Sequence, residues 1–146
     1  VNLGMNTREW LYRAYNIDKE IKEIEEAYNS AVADVFYTSP QFDIDSVQKS
    51  PSNAAEQKAE RLVMRKEKYL QRLQDLKDNK YKLLLEISRA IEQIPEPTTR
   101  GIMLRRYVNF KNIDEIAGQY FFSERNIYKI LKNGELYIEI HPLNNL

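Results

Sequence analysis

Residues 112–131 read NIDEIAGQYFFSERNIYKIL, and their pattern predicts a helix-turn-helix. Asn112 stands three residues before Glu115, which is the spacing of a capping box at a helix N-terminus. Apolar residues then recur at helical spacing on one face of this first helix. Ser123 is a good N-cap for a second helix, because its hydroxyl can accept a hydrogen bond from a free backbone N–H. The stretch therefore predicts two short helices joined by a turn.

The turn contains a residue that does not suit a tight helix-turn-helix. The position four residues after Ala117 usually needs a left-handed backbone, which favours Gly. Here the residue is Phe121, whose bulky side chain makes a positive φ costly. The sequence therefore predicts a turn that is wider than usual or differently shaped.

The second helix is expected to present a polar face with three cations. Arg125 and Lys129 are four residues apart and share a face, and Lys132 follows one turn later. Side chains of this kind can donate hydrogen bonds to guanine or to phosphates in the major groove of DNA. The candidate DNA-binding residues are Ser123, Glu124, Arg125, Asn126, Tyr128, Lys129 and Lys132, with Arg105 and Arg106 on the preceding helix. The alternative is a small helical bundle in which these are ordinary surface charges and no nucleic acid is bound.

The end of this second helix is open in the sequence. Gly134 could end it as the residue after the C-cap. Alternatively, the apolar residues from Leu136 to Ile140 could continue the helix across the glycine.

Composition limits the classes of function. The 146 residues contain 22 Lys plus Arg and 22 Asp plus Glu, so the formal net charge is zero. The chain therefore lacks the global basic field of many nucleic-acid-binding proteins, which counts against strong non-specific binding. Cys is absent, which excludes disulfides and thiolate metal sites. The sequence contains no phosphate-binding loop, nucleophile elbow or metal-ligand spacing, so we expect neither an enzyme nor a cofactor or metal.

Membrane association is not expected either. No apolar run approaches the roughly 18 residues of a membrane-spanning helix. No basic segment followed by an apolar one marks a signal peptide. We expect a cytoplasmic protein without a membrane partner.

Two long heptad patterns precede the helix-turn-helix. From Trp10 onward apolar residues recur in steps of four and three without a break, which predicts a coiled-coil helix. After a loop at 38–52, rich in Ser and containing two Pro, a second such pattern runs up to Ile94. Lys66 and Lys80 occupy two positions of this second seam and weaken it. We predict a long antiparallel hairpin, while an intermolecular coil that forms a homodimer stays open.

Pro95 and Pro97 mark the predicted domain boundary, because residues before Pro avoid the α region. The fold class is all-α, with a coiled-coil hairpin at 1–94 and a three-helix domain with the helix-turn-helix at 95–146. Thr98 is the expected cap of the first helix of this second domain. The second domain has seven Lys plus Arg against six Asp plus Glu, so it is barely basic.

The region from Thr98 to Ile138 resembles region four of the sigma factors. The stretches that carry the resemblance are LRRYV at 104–108, IDEIA at 113–117 and SERNIY at 123–128. The whole chain is similar to a family of small phage and prophage proteins with such a C-terminus and a coiled-coil N-terminus, loosely grouped with autolysin-regulatory and late-operon activator proteins. The stretch VFYTSP at 35–40 is similar to that family as well.

This resemblance implies a transcriptional regulator that acts on a phage promoter in the host cell. Its implied partners are double-stranded DNA and host RNA polymerase. Two other functions stay open. One is a non-enzymatic coiled-coil assembly or scaffold protein. The other is a small terminase subunit, against which the chain order counts, since the helix-turn-helix usually comes first there.

Overall fold

The computed structural model describes residues 5–38 and 52–142, with side chains at 5–32 and 54–142. Within these residues there are six helices and no strand, so the prediction of an all-α fold is confirmed. The helices are α1 (Thr7–Leu11), α2 (Arg13–Thr38), α3 (Ser52–Glu92), α4 (Pro97–Tyr107), α5 (Ile113–Tyr120) and α6 (Glu124–Ile140). The predicted loop 38–52 lies outside the described residues, apart from its two end residues.

The first helix begins with a capping box. The Asn6 side chain accepts a hydrogen bond from the Glu9 backbone N–H at 2.9 Å, and the Glu9 carboxylate accepts one from the Asn6 N–H at 3.4 Å. Tyr12 separates α1 from α2, but its N–H still bonds the Arg8 carbonyl at 3.0 Å. The two helices therefore follow each other almost without interruption, as the heptad pattern predicts.

The described residues form two compact units. Unit 1 contains the described residues up to Asp18 and from Asn79 onward, and unit 2 contains those between Lys19 and Asp78. The predicted boundary at Pro95 thus falls inside unit 1. The division into domains at 1–94 and 95–146 stays a prediction.

Unit 2 consists of parts of α2 and α3 that contact each other through their heptad positions and flanks. Glu20 and Arg72 form an ion pair at 2.7 Å, and the rings of Tyr28 and Tyr69 meet edge to face at 6.2 Å. Its two buried apolar residues are Ile21 and Leu73. Because these apolar residues belong to the predicted seams, the heptad pattern identifies the contacting faces.

Unit 1 has a single apolar core to which helices distant in sequence contribute. α6 packs against α1, α4 and α5. Nine of the buried core residues come from α4, α5 and α6: Ile102, Met103, Tyr107, Ile113, Ile116, Ala117, Ile127, Leu131 and Ile138. The other six come from α1, α2, the end of α3 and the residues just after it: Leu11, Ala14, Ile87, Ala90, Ile91 and Ile94. The C-terminal helices are therefore stabilised by the ends of the long helices.

Lys80, one of the two Lys at seam positions, is ion-paired inside unit 1. Its ammonium lies 2.8 Å from the carboxylate of Asp18, which is 9% exposed. The same ammonium lies 5.6 Å above the ring of Phe110. Lys66, the other seam Lys, is exposed. Asp18 on α2 thus compensates the charge of Lys80 on α3. The two residues can meet in only one register of these helices.

The cap of α4 is Glu96 and not Thr98, so the predicted cap is wrong. The Glu96 carboxylate accepts hydrogen bonds from the Thr98 N–H at 3.0 Å and from both the N–H and the hydroxyl of Thr99 at 2.6 Å. Two carboxylate oxygens can satisfy two free N–H groups at once, whereas Pro97 has none to satisfy. The hydrogen bond from the Thr99 hydroxyl, with those from the backbone, lowers the pKa of Glu96.

Candidate nucleic-acid interface

The turn between α5 and α6 is tight, and the expectation of a wider turn is wrong. Phe121 has φ 57° and ψ 36°, the left-handed conformation that Gly would normally adopt. The N–H groups of Phe121 and Phe122 both donate to the Ala117 carbonyl, the latter at 3.0 Å. These bonds close the end of α5 and lead the chain directly into α6.

The beginning of α5 lacks the predicted capping box. Asn112 occupies the N-cap position with an extended backbone, but its side chain accepts no backbone N–H. Instead its amide lies 3.5 Å from the Glu115 carboxylate, which is also 4.0 Å from the Lys111 ammonium. Glu115 therefore interacts with side chains and not with the free N–H groups of the helix end.

The turn rests on a cluster around Tyr120. The Tyr120 hydroxyl accepts a hydrogen bond from Arg105 at 2.6 Å, and the guanidinium lies 4.9 Å from the ring centroid. The ring of Phe122 stacks on that of Tyr120 at 5.9 Å. A Cβ at Gly101 would lie 2.5 Å from the Tyr120 hydroxyl, so only glycine leaves room for it. Arg105 is thereby occupied in holding the turn.

Arg106 is likewise bonded within unit 1. It donates to the Lys111 carbonyl and to the Tyr12 hydroxyl, each at 3.0 Å. Both arginines are half-buried. The structure therefore places the predicted DNA-binding residues Arg105 and Arg106 in contacts with their own chain, apart from the exposed cations of α6.

The beginning of α6 forms as predicted, and the helix runs through Gly134. The Ser123 hydroxyl accepts the Asn126 N–H at 3.1 Å, which confirms the predicted N-cap. α6 continues to Ile140, so the continuous helix is the correct alternative. Gly134 is buried, and a Cβ there would lie 2.7 Å from the sulfur of Met103. The glycine therefore allows α6 to lie close to α4.

A buried tyrosine and a carboxylate also fix the orientation of α6. The Tyr107 hydroxyl donates to Glu135 at 2.8 Å, and the Arg8 guanidinium donates to the same oxygen at 3.2 Å. Burial raises the pKa of Tyr107 far above its ordinary value, so its hydroxyl stays a hydrogen-bond donor. Glu135 also raises the pKa of Arg8. Nothing in the sequence pattern pairs these residues, because Arg8 and Glu135 are 127 positions apart.

With its inner face fixed, α6 presents the predicted polar face to solvent. Arg125, Lys129 and Lys132 are exposed, and Tyr128 is 57% exposed. Among the described residues, none forms an ion pair or hydrogen bond with these three cations. An open depression of about 520 Å³ runs along this face, lined by Ser123, Arg125, Asn126, Tyr128, Lys129 and Lys132. Six of the nine predicted site residues are thus brought together, while Glu124 is exposed in the first turn beside them.

Comparisons with known proteins identify no relative. No family model, curated protein or solved structure matches the chain. The resemblance to sigma region four therefore stays a prediction. Among residues 5–38 and 52–142, no helix is both long and apolar enough to cross a membrane. The same residues contain no group of three or more acidic or histidine side chains arranged to hold a metal ion.

Proposed function

We propose that this protein is a DNA-binding transcriptional regulator of the phage type. In this proposal α5, the turn and α6 act as a helix-turn-helix, and α6 enters the major groove of a promoter. The observation that carries it is the exposed face of α6, where Arg125, Lys129 and Lys132 surround Tyr128 without internal partners. Cations that are not used inside the protein are available for phosphates and base edges.

The chemistry of this face suits a duplex. Each phosphate neutralised by Arg or Lys releases counterions, which favours binding even though the chain has no net charge. Arg125 can donate two hydrogen bonds to guanine, and the ring of Tyr128 can contact a thymine methyl group. The N-terminus of α6, near Ser123 and Asn126, adds the positive end of the helix dipole.

The long helices complete the proposal as an antiparallel hairpin that serves for dimerisation or for contact with a partner such as host RNA polymerase. Two ion pairs support it within unit 1, Arg13 with Glu86 at 3.3 Å and Asp18 with Lys80 at 2.8 Å. In these pairs the residue number falls on α3 as it rises on α2, as expected of antiparallel helices.

The test is DNA binding by the full chain carrying Arg125→Ala and Lys129→Ala. Fluorescence anisotropy is measured against a library of promoter fragments at about 50 mM salt, with random duplex as competitor. We expect affinity for the best fragment to fall about 10- to 100-fold, and the slope of log K against log salt to fall by about 2. The matched control is Arg65→Ala with Lys68→Ala, which removes two exposed cations from α3 and should leave binding unchanged.

Equal binding by both double variants would reject the proposal, as would a wild-type protein that prefers no fragment over random DNA. A coiled-coil scaffold protein is the second candidate. It is favoured by the exposed apolar side chains of Val63, Met64 and Leu70 on the part of α3 in unit 2. Loss of self-association in Leu70→Lys, with no DNA binding in the wild type, would support that candidate.

A further inference from the structure

We infer that Phe121 is itself a DNA contact, whose ring packs against the sugar-phosphate backbone beside the groove that α6 enters. The inference rests on the proposed function and assigns it a contact residue outside the cationic face. Its starting point is that Phe121 is unfavourable for the isolated protein in two independent ways.

The backbone of Phe121 is strained. Its left-handed conformation brings Cβ close to the neighbouring carbonyl, which disfavours every residue type except Gly and, to a lesser degree, Asn and Asp. The residue is 94% exposed, so no burial offsets this strain. Residues held in sparsely populated backbone conformations cluster at functional sites.

Phe110 provides the comparison within the same unit. It also has a positive φ, 58°, but its ring is partly buried and meets the ring of Tyr15 edge to face at 5.8 Å. An aromatic residue at position 110 is therefore explained by packing. Packing does not explain an aromatic residue at position 121. The contacts that support the turn are made by Tyr120, Phe122 and Arg105.

The neighbourhood of Phe121 indicates what would cover the ring. It lies two residues before the N-cap of α6 and four before Arg125, so the two Cα atoms are at most about 14 Å apart. The major groove is about 12 Å wide, so a duplex that receives Arg125 and Lys129 brings one of its backbone edges to the beginning of α6. The unpaired cations attract a polyanion, and an apolar ring beside them can cover deoxyribose carbons that carry no charge.

The experiment compares three variants of the full chain. Phe121→Asn and Phe121→Gly keep the left-handed turn but remove the ring, whereas Phe121→Tyr keeps the ring. The probe is a fluorescein-labelled duplex of about 30 base pairs, three turns of B-DNA, selected from a random pool by the wild-type protein. Affinity is measured over a range of salt concentrations, and thermal unfolding is followed by circular dichroism.

We expect Phe121→Gly and Phe121→Asn to unfold at the same temperature as the wild type or up to about 5 °C higher, because strain is relieved and little burial is lost. Both should bind the duplex about tenfold more weakly, because an apolar contact is lost. The slope of log K against log salt should not change, because every phosphate contact is kept. Phe121→Tyr should bind within about twofold of the wild type. If Phe121 only shaped the turn, these variants would not combine weaker DNA binding with unchanged or higher thermal stability.

Unchanged affinity of Phe121→Asn and Phe121→Gly, with weaker binding by Arg125→Ala plus Lys129→Ala, would overturn the inference and leave the proposed function intact. The same result combined with loss of binding to purified RNA polymerase would assign the ring to a protein partner and also overturn it. A wild-type protein that selects no duplex would reject both the proposed function and this inference.

Discussion

Replacing Gly134 by Ala tests how closely α4 and α6 pack. The new methyl carbon would lie 2.7 Å from the Met103 sulfur, 2.9 Å from Cγ and 3.0 Å from Cε. All three distances are shorter than normal contacts, and Met103 is completely buried, so its side chain must be displaced within a filled core. Such overpacking destabilises a protein by about 1–3 kcal/mol.

A second effect acts in the opposite direction. Alanine stabilises a helix interior by up to about 1 kcal/mol relative to glycine. The net expectation for Gly134→Ala is therefore a loss of about 1 kcal/mol, which lowers the melting temperature by about 4 °C. Gly118 provides a matched control, because it lies in α5 and a Cβ there would meet nothing within 4 Å. Gly118→Ala should stabilise the protein by up to about 1 kcal/mol.

The assay is urea unfolding followed by far-ultraviolet circular dichroism, completed by a double-mutant cycle. Met103→Ala alone should lose about 2–4 kcal/mol, because it leaves a cavity. In that background Gly134→Ala should become stabilising, since its methyl group enters the vacated space. A coupling of about 2 kcal/mol between the two positions is the expected result. Equal effects of Gly134→Ala in both backgrounds, or stabilisation as large as that of Gly118→Ala, would refute the close packing.

Two further predictions concern the limits of unit 1 and the cap of α4. A fragment of residues 95–146 should be largely unfolded by circular dichroism, because it lacks the buried side chains of Leu11, Ile87 and Ile91. Each fully buried apolar side chain contributes about 1.5–3 kcal/mol, and the total stability of a domain is only about 5–15 kcal/mol. A helical fragment with a cooperative transition would contradict this. The hydrogen bond from Thr99 lowers the pKa of Glu96 below its ordinary 4.5, so its carboxylate contributes stability above pH 4.5 that is lost as the pH falls through the lowered value. The stability difference between wild type and Glu96→Gln should therefore be full at neutral pH and vanish in strong acid, and a difference independent of pH would show that the charge is irrelevant.

Local rules predicted those parts of the structure that depend on neighbours in sequence. The capping box at Asn6 and the N-cap at Ser123 formed because each needs only residues within one turn. The helical spacing of Arg125, Lys129 and Lys132 placed them on one exposed face for the same reason.

The caps at Asn112 and Glu96 are also local, yet there the predicted hydrogen bonds do not form. Other features depend on contacts between distant residues, which no local pattern contains. The reason for a glycine at position 134 lies in Met103 on another helix, which leaves no room for a Cβ there. Arg105 was predicted to contact DNA, but its guanidinium donates hydrogen bonds to the Tyr120 hydroxyl and the Gly101 carbonyl. The expectation that the turn needs a left-handed residue at position 121 was correct. Phe121 adopts this conformation despite the strain, although the residue type argued against it.

The core of unit 1 also has a consequence for the order of synthesis. Arg8 in α1 and Glu135 in α6 are 127 positions apart in the sequence, yet their hydrogen bond joins two helices that pack together. Closing so long a loop slows folding, because its entropy is lost before the contact forms. The candidate DNA-binding helix α6 can therefore gain the support of α1 only after all the residues between them have been synthesised.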